Sequence, residues 1–460
     1  MTDTALASPD RPRIAGRTFF GEPIGLAYLS FTEAWERFSY YGMTALLVLY
    51  MSQALFLPSH IENIAGFAAM RRALESVFGR MSTLALASQI YGLYTGFVYF
   101  TPVFGGLVAD RFLGRKRAVV IGAVLMSAGH IAMAFDESFL FALLLLVVGC
   151  GLLKGNISTQ VGALYAHDDT AGRTRGYSIY SIGINVGSVV GPLLCGLLAQ
   201  IYGWHAGFGL AGVLMLIGLA TYLVGYHTLV EPPPSEVRAA AHRQLSPANW
   251  RTIGILVAVM TLTVFHSIAY YQNSNVALVW INDHVDLDLL GFHVPVAWFN
   301  SIDPLISIIF VPVLIALWKW QASRRGEPGE VIKIATGAWI ACAANLVLFV
   351  GCAMSDRVSV IYPIIYDVLL GVAFLYYWPI LLALVSCVAP AGLKATLMGV
   401  AFLTLFLANI LIGWIGGFYE HMTPAMFWAL NAAIAGVGGL LGVLLNKPLM
   451  RRLEPSQGDA

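Results

Sequence analysis

The sequence predicts an all-α protein of about twelve membrane-spanning helices arranged as two six-helix halves. Three observations carry that prediction. The 460 residues are 58% hydrophobic and only 11% charged, where soluble domains carry about 25% charged residues, and mean hydropathy is +0.75. Apolar runs long enough to cross a bilayer, about 20 residues each, recur along the whole chain. A polar stretch from Glu231 to Asn249, containing Pro232, Pro233 and Pro234, splits these runs into two sets and reads as a linker between them.

The first six spans fall roughly at 25–53, 84–110, 116–135, 139–164, 175–200 and 206–229. The second six fall roughly at 252–281, 296–320, 331–354, 359–389, 394–420 and 424–447. Basic residues orient them, because Lys and Arg collect on the cytoplasmic side. With both termini inside, the inner segments hold Arg11, Arg13, Arg17, Arg111, Arg115, Lys116, Arg117, Arg173, Arg175, Arg238, Arg243, Arg251, Lys319, Arg324, Arg325, Lys333, Lys394, Lys447, Arg451 and Arg452. The outer segments hold only Arg71, Arg72, Arg80 and Arg357. The expected organisation is therefore a cytoplasmic tail over roughly 1–24, an N-terminal bundle over 25–229, a cytoplasmic linker over 230–250, a C-terminal bundle over 251–447 and a second cytoplasmic tail over 448–460. The stretch from Ser52 to Arg80 mixes apolar and charged residues, so it either extends the helices outward or lies at the interface.

Composition also narrows the functional classes. A net charge of +1 gives no support to a nucleic-acid partner. The five cysteines, Cys150, Cys195, Cys342, Cys352 and Cys387, lie in apolar runs without a CxxC pair. That spacing suits packing and not a disulfide frame or metal site. No metal, cofactor or nucleophile motif points to an enzyme, and no cleavage signal precedes the first span, which is expected to be retained.

Between spans 2 and 3, Gly105-Gly106-Leu107-Val108-Ala109-Asp110-Arg111-Phe112-Leu113-Gly114-Arg115-Lys116-Arg117 resembles the loop signature of the major facilitator superfamily. The glycines allow helix 2 to approach a neighbour closely, Asp110 can pair with a base or a helix end, and the basic run holds the loop inside. Gly105, Gly106, Asp110, Arg111 and Arg115 are thus expected to act in conformational change and not in binding solute.

Ionisable side chains inside a membrane are costly and usually functional. The spans contain Glu33, Glu36, Arg37, Lys154, Asp303 and Asp367, with His266 as a titratable neutral group. Glu33, Glu36 and Arg37 stand at i, i+3 and i+4 and share one helix face, which Tyr40 and Tyr41 continue. A carboxylate that alternates between arginine and proton is a coupling device. The bland alternative is a satisfied salt bridge that ties helix 1 to helix 4.

Glu33-Ala34-Trp35-Glu36-Arg37-Phe38-Ser39-Tyr40-Tyr41-Gly42 resembles the helix 1 hallmark of the proton-dependent oligopeptide transporter family. Gly151-Leu152-Leu153-Lys154-Gly155-Asn156-Ile157-Ser158 resembles its helix 4 segment, and Gly183-Ile184-Asn185-Val186-Gly187-Ser188 its helix 5 segment. Asp303-Pro304 with Pro312 and Trp318, and Tyr377-Trp378-Pro379, match the second half more weakly. The resemblance implies proton coupling by Glu33, Glu36, Arg37 and Lys154. It implies peptide binding at Tyr40, Tyr41, Tyr94, Lys154, Asn185 and Trp378, with Lys154 receiving the carboxylate. No cofactor is implied, and the expected partners are short peptides, protons and the lipid bilayer, with a monomer as the working unit in the cell membrane.

The chain departs from the family pattern at several positions. Thr44 replaces a helix 1 arginine, and Tyr271 stands where an acid usually precedes Gln272. Ser181 replaces a common tyrosine. Phe374 occupies the place of a helix 10 glutamate, and Asp303 that of a helix 8 asparagine. Asp303 is therefore expected to supply the anion for the peptide ammonium, against a helix-terminus or proline-kink role. Asp367 is its competitor, two turns before Phe374 and about 10 Å away by helix rise. His266, one turn before Tyr270, is either a replacement titratable group or a packing residue. The function expected is proton-coupled import of di- and tripeptides. The alternatives are a relative carrying another solute, such as an amino acid, nitrate or drug, and a membrane sensor that transports nothing.

Overall fold

In the computed structural model, which describes residues 18–166, 169–231, 247–289, 291–390 and 393–453, six long helices build each half. The first half contains α1 Ile24–Tyr50, α2 Thr83–Val108, α3 Arg115–Ala132, α4 Phe139–Ala163, α5 Thr170–Tyr202 and α6 Trp204–Gly225. The second contains α7 Pro247–Tyr271, α8 Ile302–Arg325, α9 Glu330–Met354, α10 Ile361–Leu375, α11 Lys394–Gly416 and α12 Pro424–Leu453. Among the described residues, ten helical segments are long and apolar enough to cross a membrane. The charged helix α1 and α3, which begins with Arg115, Lys116 and Arg117, complete the expected twelve. Residues 232–246, most of the expected linker with Arg238 and Arg243, lie outside the described residues, as do Arg11, Arg13 and Arg17. Three pairs of two-residue strands are the only described sheet structure, all outside the spans.

Local chemistry starts and stops these helices. The Ser82 side chain accepts from the Ala85 N–H at 3.2 Å, and Asp169 accepts from the Gly172 N–H at 2.8 Å, each satisfying a donor that the helix leaves open. The connection from α1 to α2 is itself helical. It holds a π turn at Met51–Leu55, a short helix at Pro58–Ile61 and a helix at Phe67–Phe78.

Small residues set the packing within the first half. A side-chain carbon at Gly183, Gly187 or Gly191 would stand 2.6 Å from the carbonyl oxygen of Ser30, Ala34 or Phe38 respectively. One glycine per turn thus presses α5 onto the backbone of α1, as membrane helices do where lipid supplies no hydrophobic drive. This contact fixes the helix that carries Glu33, Glu36 and Arg37.

Two helices of the second half break at the level of the interior. α7 gives way to a 3-10 turn at Gln272–Ser274 before resuming as Val276–His284. α10 stops at Leu375 and resumes as Trp378–Val388, with Pro379 in its first turn. Irregular backbone at membrane depth is tolerated where it lines a cavity. The halves meet along α2 and α11, and along α5 with the 3-10 segment Val296–Ser301 that leads into α8.

Candidate functional site

A cavity of about 740 Å³ lies between the halves. Its wall on α1 is Glu33, Arg37, Tyr40, Tyr41 and Thr44, spaced to share one helical face. α2 adds Tyr91, Thr95 and Tyr99, α4 adds Lys154, and α5 adds Ser181, Asn185 and Ser188. Across from them stand Tyr270, Tyr271, Asn273 and Ser274 at the α7 break, Asn300, Asp303 and Pro304 at the start of α8, and Phe374 and Trp378 around the α10 break. Phe402 and Asn409 of α11 complete the polar and aromatic lining.

The helix 1 charges form a closed group. The Arg37 Nε lies 3.0 Å from the Glu33 carboxylate and also contacts the Glu36 carboxylate. Glu33 and Arg37 reach the cavity wall, while Glu36 lies behind them with no exposure. Tyr180 of α5 lies beside Glu33, and the Arg37 guanidinium stands 5.5 Å from the centre of the Tyr40 ring. Two carboxylates share one guanidinium, which leaves an excess acid for a second cation or a proton.

Lys154 is not that second cation in this conformation. Its ammonium lies 4.5 Å from the centre of the Tyr99 ring, and among the described residues it makes no ion pair with a carboxylate. A salt bridge tying helix 1 to helix 4 is therefore absent here, and Lys154 stands available in the cavity. Asp303, on the other half, is available in the opposite sense. It is 7% exposed, lines the cavity and accepts a hydrogen bond from the Tyr270 hydroxyl. The Tyr270 ring is stacked between Phe374, at 5.8 Å, and His266, at 5.9 Å.

Besides Glu36, three expected site residues of the spans lie away from the wall. Tyr94 is buried on the side of α2 that faces Glu36 and Cys150, because Tyr91, Thr95 and Tyr99 take the cavity face at i, i+4 and i+8. His266 is fully buried away from the cavity, its ring 4.5 Å from that of Tyr377. Asp367 is 2% exposed behind α8, and among the described residues its Oδ2 has no hydrogen-bond partner. Asp303 alone of the two acids meets the cavity. Asn185, Tyr40, Tyr41 and Trp378 stand in the wall.

The loop residues lie apart from the cavity. Asp110 pairs with the Arg115 Nε at 3.1 Å within the turn, and Arg111 is exposed. Gly105 packs on the Gly151 backbone of α4, where the Asn156 side chain donates to the Gly105 carbonyl at 3.3 Å. Gly106, expected to share this role, faces open space. The Glu231 carboxylate accepts from the backbone N–H groups of Arg115 and Lys116, placing an anion at the N-terminus of α3.

The sequence pattern of the POT family matches residues 116–254 and 237–431. The chain is 29% identical over 521 residues to "Peptide transporter YePEPT" of Yersinia enterocolitica subsp. palearctica serotype O:3 (strain YE-P4), covering 96% of this chain and 98% of that one. It is 28% identical to "Di-/tripeptide transporter" of Lactococcus lactis subsp. cremoris, covering 95% and 97%. The solved structure of peptide transporter POT in complex with sulfate superimposes with a TM-score of 0.81 at 27% identity, covering 95% and 97%. A mutant of that transporter in complex with alafosfalin gives a TM-score of 0.81 at 26% identity with the same coverage.

Proposed function

The chain belongs to the POT family, and from that premise we propose that it is a proton-coupled symporter importing di- and tripeptides by alternating access. One observation carries the reading: among the described residues, the cavity between the halves holds a cation, Lys154, without a carboxylate partner and an anion, Asp303, without a cationic one. A zwitterionic peptide satisfies both. Its carboxylate goes to Lys154 and its ammonium to Asp303, while the phenols of Tyr40 and Tyr41 offer both an apolar face and a hydroxyl to variable side chains. A proton on Glu33 or Glu36 frees Arg37 for new contacts and biases the halves, 25–229 and 251–447, to rock about the solute.

The protein is a multi-pass membrane protein. In our reading it works as a monomer in the cell membrane, with both termini and the loop at Asp110–Arg115 in the cytoplasm and the cavity reached from that side. Basic residues support this orientation. The loop at Gly105, Gly106, Asp110, Arg111 and Arg115 serves the conformational change.

The test is uptake of labelled dialanine into proteoliposomes under an inward proton gradient, with competition by other dipeptides, amino acids and nitrate. Accumulation that dipeptides alone compete is the expected result. Phe374, in place of an acid, favours the second reading of a relative for another solute. Displacement of the label by nitrate or a free amino acid, with dipeptides inert, selects that reading.

A further inference from the structure

Among the described residues, every ion pair joins two groups of the same half. The halves are nevertheless fastened: among the described residues, the side-chain hydrogen bonds between them lie toward the end where α1 finishes and α2 begins, while farther along α2 the contact is one of rings, Phe97 and Phe100 against Phe406. On the α2–α11 side, the Ser88 hydroxyl donates to the Gly413 carbonyl at 3.1 Å and accepts from the Asn275 side chain at 2.7 Å. One step deeper, the Thr95 hydroxyl donates to Asn409 Oδ1 at 2.8 Å. On the α5–α8 side, Ser301 donates to the Val189 carbonyl at 2.7 Å and the Trp298 indole to the Leu193 carbonyl at 2.9 Å. Within the spans each of these groups is neutral. The charged groups touching the seams, Glu420 on Ser82 and the Asp288–His293 pair beside Gln200, sit at the solvent end.

The α2–α11 seam is also tight. A side-chain carbon at Gly413 would stand 2.8 Å from the Gln89 Cα and 2.9 Å from the Ser88 carbonyl oxygen, both of them backbone atoms that cannot turn aside. Thr95 and Asn409 differ from the other members of the seam in one respect: both line the cavity. A solute in the cavity therefore meets the innermost bond of the closure itself.

We propose that closure of this end is an uncharged, close-packed zip between the halves, and that Thr95 and Asn409 are the positioning pair through which cavity occupancy reaches it. Glycine at 413 sets how closely the zip can shut, and the Thr95–Asn409 bond sets where it stops. The inference rests on alternating access as proposed above. It concerns the ligand-free resting state, so it is read without any solute.

Spin labels carried on unnatural amino acids at Tyr202 and Met426, exposed at this end of the two halves, report the gap by pulsed distance measurement in lipid. Gly413→Ala is expected to raise the ratio of open to closed molecules about tenfold, the scale set by overpacking a filled contact. Thr95→Val, which keeps the shape and removes the donor, is expected to shift it in the same direction, by a smaller factor. Unchanged distances in Thr95→Val overturn the proposal, and so does a changed half-saturation for dialanine with resting distances unchanged, since Thr95 is then a ligand contact only. If Gly413→Ala fails to fold, the Thr95→Val distances still decide. Failure of dialanine uptake with both distance shifts present would remove the peptide reading and leave the zip in place.

Discussion

Asp303 and Lys154 face one cavity from opposite halves, and each is held by an aromatic residue in place of an opposite charge. An enclosed carboxylate is stable only with a cation or a proton, so its ligand should be judged by charge. Asp303→Asn keeps the shape and removes the anion. Truncating one partner of a buried charge pair costs about 2–5 kcal/mol, so half-saturation for dialanine should rise by more than about tenfold. Competition by N-acetyl-dialanine, which has no ammonium, should stay the same, and an equal loss for both ligands would take Asp303 out of amine recognition. Lys154→Gln should show the mirror pattern, losing affinity for free dipeptides while sparing dipeptide amides. These two ionisable wall residues, with Glu33 and Arg37, are legible in the sequence because charge stands out in an apolar span. Tyr91 and Tyr99 are harder to find, since a tyrosine in a span reads the same whether it packs or lines. The spacing of Tyr91, Thr95 and Tyr99 is the signal that separates them from Tyr94.

The helix that matters most is placed by another helix. α1 owes its position to Gly183, Gly187 and Gly191, whose missing side chains let α5 lie against the carbonyls of Ser30, Ala34 and Phe38. Gly187→Ala forces a methyl to within 2.6 Å of the Ala34 carbonyl, next to Arg37. Overpacking of this kind costs about 1–3 kcal/mol. A lower melting temperature and impaired proton-driven uptake are expected together, and wild-type behaviour in both would mean that α5 does not set the triad. The helix 5 motif can be read from the sequence, but its role as a backbone groove appears only when the partner helix is present. The same holds for the breaks in α7 and α10. Pro379 announces the second, whereas Gln272–Ser274 carries no proline and bends where Asn273 and Ser274 turn toward the cavity.

Twelve spans and their division into halves follow from apolar runs and one polar stretch, and the structure repeats that pattern. What the sequence hides is how the halves touch, because those contacts join residues far apart in the chain, 105 positions for Trp298 with Leu193 and 314 for Thr95 with Asn409. Each neutral bond in the seams contributes about 0.5–1.5 kcal/mol. A few of them amount to an equilibrium that one bound peptide and one proton can shift. In this account the energy source is the proton gradient, received by the excess acid around Arg37, and the seam is what it works against. The most direct test is uphill accumulation of dialanine in liposomes with an inward proton gradient, compared among the wild-type chain, Glu33→Gln and Glu36→Gln. The account predicts that the wild-type chain concentrates dialanine inside, and that at least one variant still equilibrates dialanine across the membrane but no longer concentrates it. Concentrative uptake undiminished in both variants would contradict it.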